Sequence, residues 1–268
     1  MALVPSFPRL GFVAVPLLAL GLLATPAVAA DRISARIEVY GPLRLHVLTL
    51  HTRLEEAGDR YAISTDYATT GVIAMVVDQS THAEARGRVT PVSAQPESFH
   101  SETRRNGDER SNRVDYGPDG KIDGSSTPPP PNPVTAEAER GTVDNLTAYL
   151  RLERQLAAKK TCAMTVPVFD GRHRYDLVFT DAGQETLAPD GGQKFEGTTI
   201  ACRMSRYIRG IPDDERGEGA QKGTIWYASL LPGDVVIPVR MQLETQIGSV
   251  DAYLAELHGR GVDLQLME

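Results

Sequence analysis

The chain has 268 residues, with 28 lysines and arginines against 35 aspartates and glutamates, which gives a formal net charge of −7 at pH 7. This acidic balance argues against a nucleic-acid-binding protein, because such proteins present a basic surface to phosphates. The length is sufficient for a buried core and fits one large domain or two small ones.

The N-terminus has the pattern of a secretory signal peptide. Arg9 precedes an apolar run over residues 10–23, and small residues follow up to Ala29 and Ala30. The run is shorter than the roughly 20 residues that a membrane-spanning helix needs. We therefore predict a signal peptide over residues 1–30 that is cleaved near Ala29 or Ala30. The mature protein is then periplasmic and has no transmembrane segment.

The segments that follow are strand-like. Residues 42–54 alternate apolar and polar side chains, and residues 60–70 do so again after a turn, which predicts a long hairpin. Residues 71–80 are more continuously apolar and predict a short buried element. Periodicity alone does not decide whether this element is a helix or a strand. A polar strand is predicted over residues 82–91.

A second hairpin is centred on Asn106-Gly107, the strongest two-residue hairpin signal. This turn pairs Arg105 with Asp108, so opposite charges face each other across the two strands. We interpret the charge-rich segment as a solvated hairpin held by its own ion pairs, in preference to an anion-binding patch.

A proline-rich connection and a helix occupy the middle of the chain. Residues 125–140 are predicted to form an extended connection, since proline removes the backbone donors that a central strand requires. Residues 142–159 form the one clear amphipathic helix, which Thr142 or Asp144 can cap. Its apolar face predicts packing on a sheet, and that face comprises Leu146, Tyr149, Leu150, Leu156 and Ala157.

The two cysteines, Cys162 and Cys202, are predicted to form a disulfide, because the export signal points to an oxidising compartment. Taking Asp170-Gly171 as a two-residue turn places Cys162 opposite Phe179. In a simple meander the cysteines would then lie two strand spacings apart, roughly 9–10 Å, whereas a disulfide needs Cα atoms within about 7 Å. Strong curvature, a changed strand order, or a Cys162 beyond its strand end would resolve this conflict.

The C-terminal third returns to strands, and residues 249–258 fit either a helix or a strand, with the strand favoured. No nucleophile elbow, phosphate-binding glycine loop or metal-ligand spacing of histidines occurs in the sequence. We expect no catalytic residue, no metal and no cofactor. Trp226 fits a half-buried core position better than a ring that stacks on a ligand.

Several segments resemble an uncharacterised family of exported proteobacterial proteins, a domain of unknown function. These are GTVDNLTAYL, TCAMTVPVFDGRHRYDL, TTIACRMSRYIRG and IPVRMQLETQIG. The resemblance covers about residues 41–257. It implies one domain over residues 31–268 with a fold like LolA and LolB: a mainly β, strongly curved antiparallel half-barrel with the helix on its concave face. Unlike LolB, this chain lacks a cysteine for lipid attachment.

These observations favour a non-catalytic envelope protein that binds a hydrophobic or envelope-derived ligand, such as a lipid, or a protein partner in a half-barrel cavity. A scaffolding factor that acts through protein contacts is the first alternative. A hydrolase of envelope glycans is the second. The residues predicted to line the cavity are Leu146, Tyr149, Leu150, Met164 and Trp226.

Overall fold

The computed structural model describes residues 1, 30–190, 192–209, 222–233, 235–245 and 248–267, so the predicted signal peptide lies almost wholly outside the described residues. The strands are β1 (Asp31–Tyr40), β2 (His46–Ala57), β3 (Arg60–Thr69), β4 (Gln79–Thr90), β5 (Ser93–Arg105), β6 (Asp108–Tyr116), β7 (Ile122–Thr127), β8 (Met164–Phe169), β9 (Arg174–Leu187), β10 (Gly197–Ile208), β11 (Lys222–Ser229), β12 (Val236–Thr245), β13 (Gly248–Gly259) and β14 (Val262–Gln265). The helices are α1 (Gly71–Ala74), α2 (Ala136–Glu139) and α3 (Asn145–Lys159), and Pro42–Arg44 forms a 3₁₀ turn.

All the strands belong to one antiparallel sheet, in the order β7-β6-β5-β4-β3-β2-β1-β13-β12-β11-β10-β9-β8, with β14 added beside β13. Two meanders make up this sheet, and pairing of β1 with β13 joins them. The sheet is open, and β7 and β8 are its two edges. The prediction of a mainly β, antiparallel and unclosed sheet is confirmed.

The two edges of the sheet approach each other, which makes the fold barrel-like. The Phe169 ring at the end of β8 lies over Gly124 of β7, where a Cβ atom would be only 2.2 Å from the ring. Arg172 donates to Ser126 Oγ at 3.2 Å and to the Pro128 carbonyl at 2.9 Å. Side chains, and not a strand ladder, therefore bring the edges together.

Helix α3 supplies core to both meanders. Leu150 packs in a cluster with Tyr61 and Phe99 of the first meander. Leu152 and Leu156 pack in a second cluster, with strands of the other meander. The helix begins at Asn145, three residues later than predicted, because Val143 is extended and exchanges backbone hydrogen bonds with β8. The extended connection also begins later than predicted, since residues 125–127 pair with β6.

The prediction for residues 71–80 is wrong about burial. These residues form the single-turn helix α1 and the start of β4. Val72, Met75 and Val76 are exposed, although they are large and apolar. The other two expectations for local structure hold: Arg105 pairs with Asp108 across the second hairpin, and residues 249–258 lie within strand β13.

The register of the β8–β9 hairpin differs from the prediction by two residues. Met164 faces Phe179, whereas the two-residue turn would place Cys162 there. The turn is wider because the Asp170 carboxylate accepts hydrogen bonds from the backbone N–H groups of Arg172 and His173, at 3.0 and 2.7 Å. A shift of two residues leaves every side chain on its predicted face.

The predicted disulfide between Cys162 and Cys202 is present, with Cα atoms 5.6 Å apart. Cys162 precedes the start of β8, so the conflict over strand spacing does not arise. Asp181 holds the backbone here, since its carboxylate accepts from the Cys162 N–H at 2.6 Å. The β9–β10 pairing has a bulge between Ala201 and Cys202, next to the disulfide.

Candidate ligand-binding cleft

The start of helix α3 is fixed by a buried cap. The Asp144 carboxylate accepts from the Thr147 N–H at 2.8 Å and from the Thr147 hydroxyl at 2.6 Å. The same hydroxyl lies 2.6 Å from the Tyr61 hydroxyl on β3. Burial raises the pKa of Asp144 to about 6, although the hydrogen bonds from Thr147 oppose that rise. This cap fixes the start of α3 against strand β3.

A cleft of about 520 Å³ opens beneath the second half of α3, where the first meander meets the second. One wall is the helix, and the others come from β1, β2, the end of β4 and the turn before β12. Most of the side chains are apolar: Ile33, Leu54, Val89, Pro91, Leu150, Ala157, Ala158, Val235 and Val236. The space is therefore suited to hydrocarbon.

An ion-pair network closes one side of the cleft. The Glu56 carboxylate is bonded by the Arg154 guanidinium of α3 and by Arg260, which lies 3.2 Å away. Arg260 also contacts Asp31, at 2.5 Å. These pairs tie the helix to both meanders. Because Glu56 is shared by two guanidinium groups, its charge is fully compensated.

Glu153 is a cleft residue whose carboxyl group is strongly perturbed by burial. The side chain is half-buried, and burial raises its pKa to about 8. In the part of the chain that the structure describes, no side chain pairs with this carboxyl. Burial raises the pKa of Tyr227 well above its usual range, and the negative charge of Glu153 adds to that rise. The two groups therefore lie near each other. At neutral pH much of Glu153 is protonated and can donate a hydrogen bond.

The structure brings one of the five predicted cavity residues to this cleft, namely Leu150. Leu146 packs on the cluster of the first meander. Tyr149 packs edge-on against Phe179, with ring centroids 5.9 Å apart, and Met164 belongs to the same cluster.

Trp226 lies on the opposite face of β11 from Tyr227, as alternation along a strand requires. Its Nε1 donates to Glu185 at 2.6 Å, and the Arg240 guanidinium covers the ring at 4.8 Å. Trp226 is thus packed and hydrogen-bonded on the side away from α3.

A second depression, of about 800 Å³, lies on the face of the first meander that is turned away from α3. A row of side chains crosses it in register, with His51, Asp66, His82 and Glu102 on successive strands. Asp66 and His82 pair at 2.6 Å. Its lining is dominated by hydroxyl and charged groups, so it is a poor match to an apolar ligand.

In the described ranges, no group of three or more histidine, cysteine, aspartate or glutamate side chains could hold a metal ion. No helix within those ranges is both long and apolar enough to cross a bilayer.

A family model described as "Protein of unknown function (DUF3108)" matches residues 34–255, which run from β1 to β13. The chain belongs to this family. The predicted membership of a domain family of unknown function is confirmed, whereas the likeness to LolA and LolB stays a prediction. No curated protein matches the chain.

One solved structure supports the fold of the DUF3108 chain. A beta-barrel-like protein of domain of unknown function DUF1849 from Brucella abortus covers 87% of this chain and 99% of its own, at 13% identity and a TM-score of 0.51. At this identity the likeness shows the fold alone. A "putative lipoprotein" from Parabacteroides distasonis covers 85% and 95% at 14% identity, but its TM-score of 0.34 carries no argument. The descriptions of the family and of the first structure name no catalytic activity.

Proposed function

We propose that this DUF3108 protein is a non-catalytic periplasmic protein that binds an apolar, envelope-derived ligand in the cleft beneath α3. One observation carries the proposal: the cleft has apolar walls and encloses a half-buried carboxyl group, Glu153, with no partner among the described residues. Its volume of about 520 Å³ lies within the range of small-molecule sites, about 300–1,000 Å³.

The ligand that fits this chemistry has an acyl chain and an oxygen acceptor. Hydrocarbon would replace water along the apolar walls, which is favourable in proportion to the area covered. The protonated Glu153 can donate to an ester or carboxyl oxygen below about pH 8. Arg154 and Arg260 line the polar side of the cleft, where they can attract an anionic head group.

The disulfide supports the exported location, because structural disulfides persist in oxidising compartments and are rare in the cytosol. Binding is favoured over glycan hydrolysis by the state of the carboxylates. A glycosidase uses two carboxyl groups roughly 5–10 Å apart on either side of the scissile bond. The other two carboxylates of this cleft are Glu56, which is held by two guanidinium groups, and Asp59, which lies 4.0 Å from the Arg88 guanidinium. Both are therefore poor partners for Glu153 in that chemistry.

The test is a titration with cis-parinaric acid, a fatty acid whose fluorescence rises in an apolar environment. We expect saturable binding of one molecule per chain. Ala157→Trp places a large side chain in the cleft and should weaken binding about tenfold or more, because it occupies the space of several methylene groups. Lys159→Trp, on the exposed end of the same helix, is the matched control and should bind as the parent does.

Absence of saturable binding would overturn the proposal, as would equal binding by the parent and Ala157→Trp. Organic extraction of the protein purified after export supplies an independent check. Recovery of a stoichiometric lipid from the parent, and its loss from Ala157→Trp, would support the cleft as the site.

A further inference from the structure

Five large, exposed, apolar side chains lie on two short loops at one end of the first meander. The residues are Leu43 and Leu45 on the β1–β2 loop, and Val72, Met75 and Val76 on the β3–β4 loop. We call this set the apolar loop patch. Leu43 is 93% exposed and Met75 is 87% exposed. Beyond the terminal Met1, the described residues contain two other exposed large apolar side chains, Val92 and Tyr207, and each lies elsewhere.

The two loops are joined to each other. The Thr70 hydroxyl lies 3.0 Å from His46 Nδ1, and the Thr70 N–H donates to the Val47 carbonyl at 2.9 Å. Gly71 begins α1 close to the His46 carbonyl. The two loops are therefore held together at one end of the first meander, and exposed apolar side chains of this kind mark sites of interaction with proteins or membranes.

The β1–β2 loop holds Leu43 outward in an unfavourable backbone conformation. Leu43 and Arg44 have φ angles of 58° and 60°, in the left-handed region that residues with a Cβ atom rarely adopt. Such conformations persist where the surrounding structure imposes them, and they concentrate at functional sites.

Several backbone groups of both loops are hydrogen-bonded within the protein. The Gly41 N–H donates to the Leu45 carbonyl at 2.9 Å, and the Val77 N–H donates to the Ile73 carbonyl at 2.8 Å. The Thr69 hydroxyl donates to the Val77 carbonyl at 2.7 Å. Lipid offers no partners to exposed backbone groups, so internal bonding is a requirement for entering the apolar layer of a membrane. A protein partner would impose no such requirement.

The loop that would enter the bilayer is uncharged, and the neighbouring loop carries a cation. Residues 69–77 contain no charged side chain, so the β3–β4 loop can enter an apolar layer without a desolvation penalty for an ion. Arg44 is exposed and lies between Leu43 and Leu45 in the sequence, with its guanidinium near Gly192 and Tyr253, so a cation that can attract lipid phosphates lies beside the patch. We propose that the apolar loop patch docks this protein on the surface of a lipid bilayer.

The experiment is co-sedimentation with vesicles of phosphatidylcholine, alone or mixed with phosphatidylglycerol. The protein is produced by export, and its intact mass is measured, so that binding through an uncleaved apolar N-terminus is recognised. We expect the parent to bind both vesicle types and to remain bound at high salt, because burial of apolar side chains is not screened by ions.

Two double variants isolate the patch. Leu43→Ser with Met75→Ser should lower the partition coefficient about tenfold or more, because two large side chains no longer enter the bilayer. The matched control is Val92→Ser with Tyr207→Ser, which removes the two exposed apolar side chains outside the patch and should bind as the parent does. Equal thermal unfolding of the variants would show that the fold is intact.

Failure of the parent to bind either vesicle, or an equal loss of binding in both double variants, would overturn the proposal. Sedimentation velocity without lipid provides one more decisive outcome. A dimer that the patch variant alone dissociates would show that a second copy of the chain covers the patch. Docking is separable from ligand binding, because Ala157→Trp leaves the loops unchanged and should sediment with vesicles as the parent does.

Discussion

Helix α3 carries two buried or half-buried carboxyl groups, and their surroundings are opposite. Asp144, at the start of the helix, is fully buried and accepts two hydrogen bonds from Thr147. Glu153, beside the cleft, has no partner among the described residues. Burial raises the pKa of both carboxyls, to about 6 and about 8 respectively.

The contrast separates a residue that supports the architecture from one in the proposed binding site. A buried polar group costs free energy unless its hydrogen bonds are made. At Asp144 they are made, so the residue anchors the helix. At Glu153 they are not made within the described protein, so the carboxyl is available to a ligand. Raised pKa values alone would not distinguish these two roles.

Removing the disulfide that follows α3 should have the largest effect on stability. Cys162 lies shortly after the end of the helix and closes a loop of sequence separation 40 with Cys202. The chain-entropy model gives about 4 kcal/mol for a loop of this length. We therefore expect Cys162→Ala with Cys202→Ala to lower the free energy of unfolding by about 4 kcal/mol in urea titrations.

A reducing agent provides the control for the disulfide. It should destabilise the parent by a similar amount and leave the double alanine variant unchanged. No effect of reduction on the parent would show that the disulfide does not stabilise the fold. Helix α3 would then be anchored at its start, by Asp144.

Asp144→Ala tests the anchoring half of the comparison. It removes the helix cap and a second hydrogen bond, so we expect the free energy of unfolding to fall by about 2 kcal/mol. The loss should be larger at pH 4 than at pH 8. The folded-state pKa is raised, so the carboxyl of the parent contributes most stability at low pH and loses part of it as the pH rises through 6.

Asp144→Asn is the matched variant, because it keeps one acceptor for the Thr147 N–H and cannot ionise. We expect it to lose less stability than the alanine variant and to show none of the pH dependence. A pH-independent loss in Asp144→Ala would contradict a raised pKa at this position.

Local patterns in the sequence predicted much of this fold. Period-two alternation and the Asn106-Gly107 turn fix strands and a register that depend on neighbours in the chain. The pairing of β1 with β13 and the contact of Phe169 with Gly124 join residues far apart in sequence, and no local signal encodes them. The Asp170 side chain widened a turn that backbone preferences alone would have made tight.

Two regions differ from what local sequence patterns predict. The apolar run in residues 71–80 predicts a buried element, yet composition does not show which side of an element has a partner. Glu153 was not singled out, although it lies three residues after Leu150 and four before Ala157, at the centre of the predicted apolar face. A charged residue at a core-facing position of a helix is the signal that could have found it.

Glu153→Gln should have the smallest effect on stability and the opposite sign. A folded-state pKa of about 8 exceeds the unfolded value, so the parent loses stability as the pH rises from about 4.5 to 8. Glutamine cannot ionise and avoids that loss. We expect the variant to match the parent near pH 5 and to exceed it by about 1 kcal/mol at pH 8, since solvent in the cleft reduces the full effect.

Urea titrations at several pH values measure this difference, and Glu137→Gln on the exposed helix α2 is the control that should show none. A destabilised Glu153→Gln would mean that the carboxylate has a partner in the folded protein and serves the architecture, as Asp144 does. A gain at alkaline pH would mean that the native side chain is kept at the expense of stability. Such a cost is typical of functional sites, because a group that is left unpaired for a ligand cannot also stabilise the unliganded fold.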